Sequence, residues 1–468
     1  MKINLATDSR IFCSNCSVEF PAPEIAGFAG GAGYGDTGLF GNQMASVVRL
    51  DDASFRVYLT RRLWFSDRTT RMDIGYIDTP AIAAWPDIRT NFKQLRLTGL
   101  PEGCSCSQPY VIRRDNRFEL FFWVHGTGMI RYVKCVSENG IDFRIINLDN
   151  PCLYHPCDQA IRTDSSSDGF LTVKDHLRQA KTAISNELKQ KISNDATTVY
   201  FDADAGIYVM FSVLLLRSDM APERRVDYDN AANWLRVIHR RTSCDGIEWS
   251  GPDIVLLPEA GERDDLQFYV LQQLKQADRL CGLAGYYPVH DQVMDLEPMV
   301  SRDGGRNWIR NQRPWRLRDR IPGCDWPVQM LFPGGMIEAG GWIWMVATAF
   351  NSQHNQGGKL EPGEYRQENI IMRQRDDRWA GLINQNGHGE IITGPIQYEQ
   401  FRLETEAHEK VEVSLLSPYG NELTACGRVA ADGAIVFLDG SDSIYTGEWV
   451  RMRLRFDTTV YNLNSVNR

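Results

Sequence analysis

The 468-residue chain contains no apolar run approaching the ~20 residues that a membrane-spanning helix needs. From Met1 to Phe20 it lacks the basic stretch followed by an apolar one that marks a secretory signal, so the expectation is a cytoplasmic protein. Positive charge is not in excess. The 51 Lys and Arg stand against 60 Asp and Glu, a net charge of −9, which argues against nucleic acid or an anionic membrane as a partner. Zinc-finger spacing is also missing. Cys13-x-x-Cys16, Cys104-x-Cys106 and the pair Cys152 and Cys157, with His155 between them, lie far apart and match no standard finger. Reduced thiols, no metal and no cofactor are therefore expected.

What the chain does have is a repeated turn. Ser301-Arg302-Asp303-Gly304-Gly305-Arg306-Asn307-Trp308 has weaker copies at Ser243-Cys244-Asp245-Gly246-Ile247-Glu248-Trp249 and at Ser137-Glu138-Asn139-Gly140-Ile141-Asp142-Phe143. Asp-Gly or Asn-Gly between extended segments marks a hairpin, because the central residues must tolerate positive φ. Three copies in register mean a repeated supersecondary unit. Aromatic and β-branched hairpins begin near residues 43, 108, 195, 265 and 325, a period of roughly 60 to 90 residues. Most are followed by a second pair of strands carrying the Ser/Asp/Gly/aromatic turn. Two successive hairpins make a four-stranded propeller blade, so an all-β fold is expected, with a five-bladed β-propeller over residues 1–380. Residues 174–192 carry a helical apolar stripe, read as a helical insertion between the second and third blades. From 381 to 468 strict apolar/polar alternation, as in Val450-Arg451-Met452-Arg453-Leu454-Arg455-Phe456, predicts a β-sandwich packed against the last blade.

At these residues the chain resembles the glycoside-hydrolase-like five-bladed propellers grouped around glycoside hydrolase families 43 and 32. The resemblance is carried by Asn194-Asp195-Ala196-Thr197-Thr198-Val199-Tyr200-Phe201-Asp202 with Gly206-Ile207-Tyr208-Val209, by Asp264-Asp265-Leu266-Gln267-Phe268-Tyr269, by the turn ending in Trp308, and by the strand ending in Phe456. It implies a carbohydrate substrate, oligosaccharide or polysaccharide. The turns also resemble the Asp-boxes of sialidases, although no early Arg-Ile-Pro signature is present.

Propeller geometry sorts the candidate residues. The Ser-x-Asp-Gly turns join third to fourth strands, at the end opposite the rim where innermost strands begin, so Asp245 and Asp303 are expected to be structural. Strand starts supply Gln43, Gln108, Asp195, Asp265, Asp325 and Trp326. Glycoside hydrolysis needs two carboxyl groups flanking the scissile bond, ~5 Å apart for retention and ~6.5–9.5 Å for inversion. Asp195, Asp265 and Asp325 are the candidate catalytic residues, with acid, base and nucleophile unassigned among them. The family 43 resemblance would place Asp in the first two blades, where this chain has Gln43 and Gln108. The loops after the second strands bring Arg62, His125, His290 and His354 toward the same rim as candidate substrate contacts, and the arginines there, Arg61, Arg62 and Arg68, hint at an anionic sugar. Three readings follow: a glycosidase, a non-catalytic carbohydrate-binding or scaffold propeller, and a sialidase-type exo-glycosidase.

Overall fold

The computed structural model describes residues 2–465 apart from 7, 9, 31–38, 52, 65–69, 156–157, 161–189, 193–195, 218–233, 323, 355–359, 361–363, 385–387, 424–426 and 438–444. Five antiparallel sheets follow one another along the chain. Blade one runs Leu39–Arg49, Phe55–Trp64, Thr70–Thr79 and Lys93–Gln94 from inside to outside, and blade two Ser105–Arg114, Arg117–Gly126, Met129–Ser137 and Asp142–Ile145. Blade three has an interrupted inner strand, Gln190–Ile192 and Thr198–Asp202, then Ile207–Arg217, Trp234–Ser243 and Asp253–Leu256. Blade four is Leu266–Lys275, Leu280–Pro288, Asp295–Ser301 and Ile309–Arg310. Blade five is Met330–Ala339, Trp342–Phe350 and Gln367–Arg375, and its outermost strand is Glu24–Phe28 from the far end of the chain.

Neighbouring inner strands touch in a ring, and the inner strand of blade five returns to that of blade one. Closure there is tight. A Cβ at Gly335 would fall 2.6 Å from the Ala45 carbonyl oxygen and 3.1 Å from the Val47 nitrogen, so the two backbones can meet only over a glycine. The fold is a five-bladed β-propeller. Most of the helix expected over 174–192 lies outside the described residues; its last part, Gln190–Ile192, is strand and pairs with Leu214–Leu216.

The repeated turns have the geometry their residues predict. In each, the Ser hydroxyl donates to the Asn or Asp two residues on and accepts the turn glycine's amide: Ser137 with Asn139 and Gly140, Ser243 with Asp245 and Gly246, Ser301 with Asp303 and Gly305. The carboxylate or amide oxygen then caps two amides beyond the turn. The closing aromatic packs on the blade before: Phe143 edge-on to Tyr58, Trp249 to Phe121, Trp308 to Phe211. A buried cation of that preceding blade donates to a carbonyl of the same turn. Arg56 reaches Asn139, Lys134 reaches Asp245, Arg240 reaches Gly304, and Arg279 reaches Asp376 in the shorter turn of blade five. Each turn is a clamp between blades.

Two further sheets form the sandwich. One contains Val460–Ser465, Gly381–Asn384 and Phe401–Thr405, and the other Gly389–Thr393, Trp449–Phe456, Val411–Leu416, Gly427–Val429 and Ile435–Phe437. The expected propeller span of 1–380 included the N-terminal strands, but Lys2–Asn4 and Cys16–Glu19 join the first of these sheets and Ile11–Ser14 the second. The N-terminal segment therefore straps the sandwich before it closes blade five. The sandwich core is continuous with blades four and five: Trp379, wholly buried, donates its indole N–H to Met299 at 2.9 Å and meets Trp315 edge-on.

Lys134 tests the clamp. Its ammonium also pairs with buried Glu119 at 3.2 Å, and Glu119 accepts the Tyr208 hydroxyl. Lys134→Met should cost roughly 3 kcal/mol, because it strands a buried carboxylate. Adding Glu119→Gln should recover part of that loss. A denaturant-unfolding double-mutant cycle measures both terms.

Candidate functional site

Every inner strand is broken at the same depth below the rim where it begins. In blade two Ser107 faces Trp123 and Tyr110 faces Phe121, so residues 108–109 bulge opposite Phe122. Residues 269–270 bulge opposite Gly285 in blade four, and 334–335 opposite Val346 in blade five. The break is larger in blade one, where 42–45 face Leu59 alone, and in blade three Ala196 and Thr197 fall in the gap between the Ile192–Leu214 and Thr198–Phe211 pairs. Bulges re-aim side chains and collect beside functional sites. Here they form one layer around the axis.

That layer is knitted by polar groups. Gln108 sits in the left-handed region at φ 58° and is 7% exposed. Its amide donates to the Thr60 hydroxyl of blade one (3.0 Å), and its side-chain oxygen accepts the Ala196 amide of blade three (3.0 Å). Ala196, at φ 55°, is equally left-handed. Two non-glycine residues held in that region are a strain that the neighbouring contacts must impose. The Thr197 and Ser212 hydroxyls are 2.7 Å apart, and Ser107 meets His125 Nε2 at 2.9 Å. His239, the cross-strand partner of Ser212, is wholly buried, and neither ring nitrogen has a hydrogen-bond partner among the described residues. Burial, aided by the charge of Arg241, holds its pKa well below the ordinary histidine value.

Below the bulges the axis is closed. Gln273 of blade four donates across it to the Tyr110 hydroxyl of blade two (3.2 Å), and Thr198 of blade three donates to Gln273 Oε1 (2.8 Å). Blades two and four are not neighbours, so this network spans the channel and gives the mouth a floor.

The expected site residues fall at several different depths. Gln43 lies in the inner strand of blade one, within the break, but its side chain is outside the described residues. Asp195 lies outside the described residues altogether; its chain neighbour Ala196 is the residue bonded to Gln108. Asp265 precedes its strand and is wholly buried: Arg263 grips both carboxylate oxygens (2.8 and 2.9 Å), and the His290 amide donates to it at 3.0 Å. The same guanidinium reaches Asp291 at 2.6 Å, so Asp265, His290 and Asp291 form one cluster around Arg263. Asp325 stands well out in solvent, with 81% of its side chain exposed, and pairs with Arg366 at 3.1 Å. Trp326 is half-buried against the core shared with the sandwich. Register explains the scatter, because the bulge positions of blades four and five matching Gln108 are Tyr269 and Gly334, several residues beyond Asp265 and Asp325.

The arginines of blade one are partly engaged by the chain itself. Arg61 and Arg71 both bond Asp73 at 3.1 Å, Arg62 rests against the Met72 sulfur, and Arg68 lies outside the described residues. His354 is buried edge-on to Tyr269 and tilted against Tyr287. Above Tyr269 lies the guanidinium of Arg236 at 4.5 Å, which also donates to Gln267. Arg236 and Tyr287 went unmarked in the sequence, and Gln267 and Tyr269 entered only within the stretch that carries the resemblance, since no turn signal singles out the middle of a buried strand. Among the described residues no group of three His, Cys, Asp or Glu is placed to hold a metal ion.

The fold is thus that of a propeller with a polar, strained mouth on one face. In comparisons with known proteins, no family pattern and no curated protein matched the chain. Solved structures of glycoside hydrolases are similar to it. A thermostable family-43 glycoside hydrolase is 13% identical at a TM-score of 0.42, covering 75% of this chain and 95% of that one. An α-L-arabinofuranosidase from Podospora anserina is 12% identical at 0.43, covering 75% and 96%. A glycosyl hydrolase from Bacteroides ovatus is 10% identical at 0.42, covering 77% and 94%.

Asp295 begins the third strand of blade four and gives the mouth a pH-dependent element. Burial pushes its pKa from 3.8 up to about 6, against amide donation from Leu296, Leu317 and Arg318. A raised carboxyl pKa means that the neutral acid is favoured in the fold. Its contribution is complete below the unfolded value and is lost as pH rises to about 6, a change of about 3 kcal/mol. Asp295→Asn should therefore match the parent near pH 4 and exceed it in melting temperature from pH 6.5 upward. A difference independent of pH would show that Asp295 is ionised throughout.

Proposed function

We propose that this protein acts on a glycosidic bond of an oligosaccharide or polysaccharide at the mouth of the propeller channel. The observation that carries the reading is the bulge layer, where strained backbone, buried hydroxyls and amides, and an Arg–Tyr–His cluster ring an axis that is floored beneath. Hydroxyl and amide groups suit sugar hydroxyls, and aromatic faces suit the C–H face of a pyranose. Carboxylate acid/base catalysis is the chemistry in this reading, with Asp195 as the first residue to test, because the Gln108–Ala196 bond ties its segment to the layer. Asp265 fits an anchoring role better than an acid or nucleophile, since both of its oxygens are engaged by Arg263. Asp325, at the surface and paired with Arg366, fits a contact with the outer part of a longer substrate.

Glutamine in blades one and two supports a second reading, in which the mouth binds a glycan without cleaving it. The sialidase-type reading is weaker, because it needs three arginines on one substrate carboxylate, whereas Arg61 and Arg71 are both turned to Asp73.

A panel of oligosaccharides and polysaccharides, including uronic-acid polymers, separates these readings. Product release by the parent protein that falls roughly 10²–10⁴-fold in Asp195→Asn, with the melting temperature preserved, is the result expected of the enzyme. Retention on a glycan column with no product from the parent protein would establish binding instead, and neither retention nor product would overturn the carbohydrate reading.

A further inference from the structure

The Cys13-x-x-Cys16 pair belongs to none of the machinery above. Cys13 lies on Ile11–Ser14, an edge strand of one sandwich sheet, and Cys16 opens Cys16–Glu19, an edge strand of the other. Asn15 alone joins them, at φ 54°, a left-handed turn that asparagine tolerates. The turn folds the Cys16 side chain back over the preceding strand. Its thiol donates to the Ser14 carbonyl at 3.1 Å and reaches the Glu390 carbonyl at 3.8 Å, and Glu390 is the register partner of Ser14. The sulfur therefore sits beside the rung next to Cys13, whose thiol is near enough to act on it electrostatically. Cys13 is exposed and Cys16 half-buried. Zinc would need further ligands, and the described residues offer no third His, Cys, Asp or Glu there.

We propose that Cys13 and Cys16 form a reversible disulfide with small-molecule disulfides such as oxidised glutathione as the co-reactant, locking the N-terminal strap where it crosses between the sandwich sheets. The exposed Cys13 thiolate attacks one sulfur of the small disulfide and releases one thiol, leaving a mixed disulfide on Cys13. Cys16, its proton lost to solvent, attacks the Cys13 sulfur, forms the protein disulfide and releases the second thiol. Two hydrogens leave the protein, and the small disulfide, gaining two, is reduced to two thiols. Burial and the neighbouring Cys13 push the Cys16 thiol up to about 11, so little of it is thiolate near neutrality and the second, resolving step depends on its proximity to Cys13.

The test equilibrates the full chain with oxidised and reduced glutathione, traps free thiols by alkylation and weighs the peptide spanning residues 13–16. Expected is a peptide about 2 Da lighter and closed to alkylation, restored by dithiothreitol. In Cys16→Ser a glutathione adduct should accumulate on Cys13, because nothing resolves it. The melting temperature should rise on oxidation in the parent protein and in neither Cys13→Ser nor Cys16→Ser. Full alkylation of both thiols at a ratio where exposed Cys244 already carries glutathione would overturn the proposal. So would a lasting adduct on Cys13 beside a free Cys16 in the parent protein, or zinc held by the pair.

Discussion

The structure depends on a bond that crosses from each of blades one to four to the blade after it: a buried cation donating to a carbonyl of the following blade's outer turn. Arg56, Lys134, Arg240 and Arg279 do this in succession, and all four are less than a tenth exposed. A charge at such depth needs hydrogen-bond acceptors, so each cation requires its turn to be formed correctly. The turn in turn requires its Ser and its Asp or Asn to satisfy the backbone, and its glycine to take positive φ. One blade's side chain thus certifies the next blade's backbone. Blade order and spacing follow from that coupling more than from the apolar core, which any pair of sheets would bury.

The ring needs closing, and the chain does it from its beginning. Glu24–Phe28 supplies the outermost strand of blade five, while the residues before it run through both sheets of the sandwich. Blade five therefore cannot be completed without the sandwich edge strands being laid down as well. Arg302 of blade four donates to the Ala6 carbonyl, between the strap's first two sandwich strands. Trp315 donates to the Phe20 carbonyl, between the strap's last sandwich strand and blade five, so the strap is fixed to the propeller at two points. The sandwich is part of the ring's closure, and its core runs unbroken into blades four and five.

How much of this was legible depended on whether the signal was local. The turns at Ser137, Ser243 and Ser301 announce themselves because Ser, Asp, Gly and the aromatic all act within a few residues, and from them the blade count and the opposite rim could be read. The bulges could not. A bulge is a mismatch between two strands, and Gln108 looks ordinary until Ser107 and Tyr110 are set against Trp123 and Phe121. For the same reason Asp265 and Asp325 seemed equivalent to Gln108, although they precede the layer that their own blades reach at Tyr269 and Gly334. The strap was hidden too, because pairing of Lys2–Asn4 with Val460–Ser465 joins the two ends of the sequence.

The two faces of the propeller have opposite characters, and the contrast explains where function can sit. At the turn end the unusual backbone belongs largely to glycine: Gly140, Gly246, Gly304 and Gly305 take positive φ without penalty, and charged side chains cap the carbonyls. At the mouth, Gln108 and Ala196 take positive φ with a Cβ in place, and His239 is buried with its ring unpaired among the described residues. Such features lower stability by of order 1–3 kcal/mol each and persist only where the surroundings impose them. At the mouth the neighbouring blades impose them directly, through the bonds of Gln108 to Thr60 and to Ala196. Strain at the mouth is in this sense the counterpart of order at the turns. A polar, strained layer over a closed floor can offer hydroxyls and amides at set positions to a ligand that brings its own hydrogen-bonding groups.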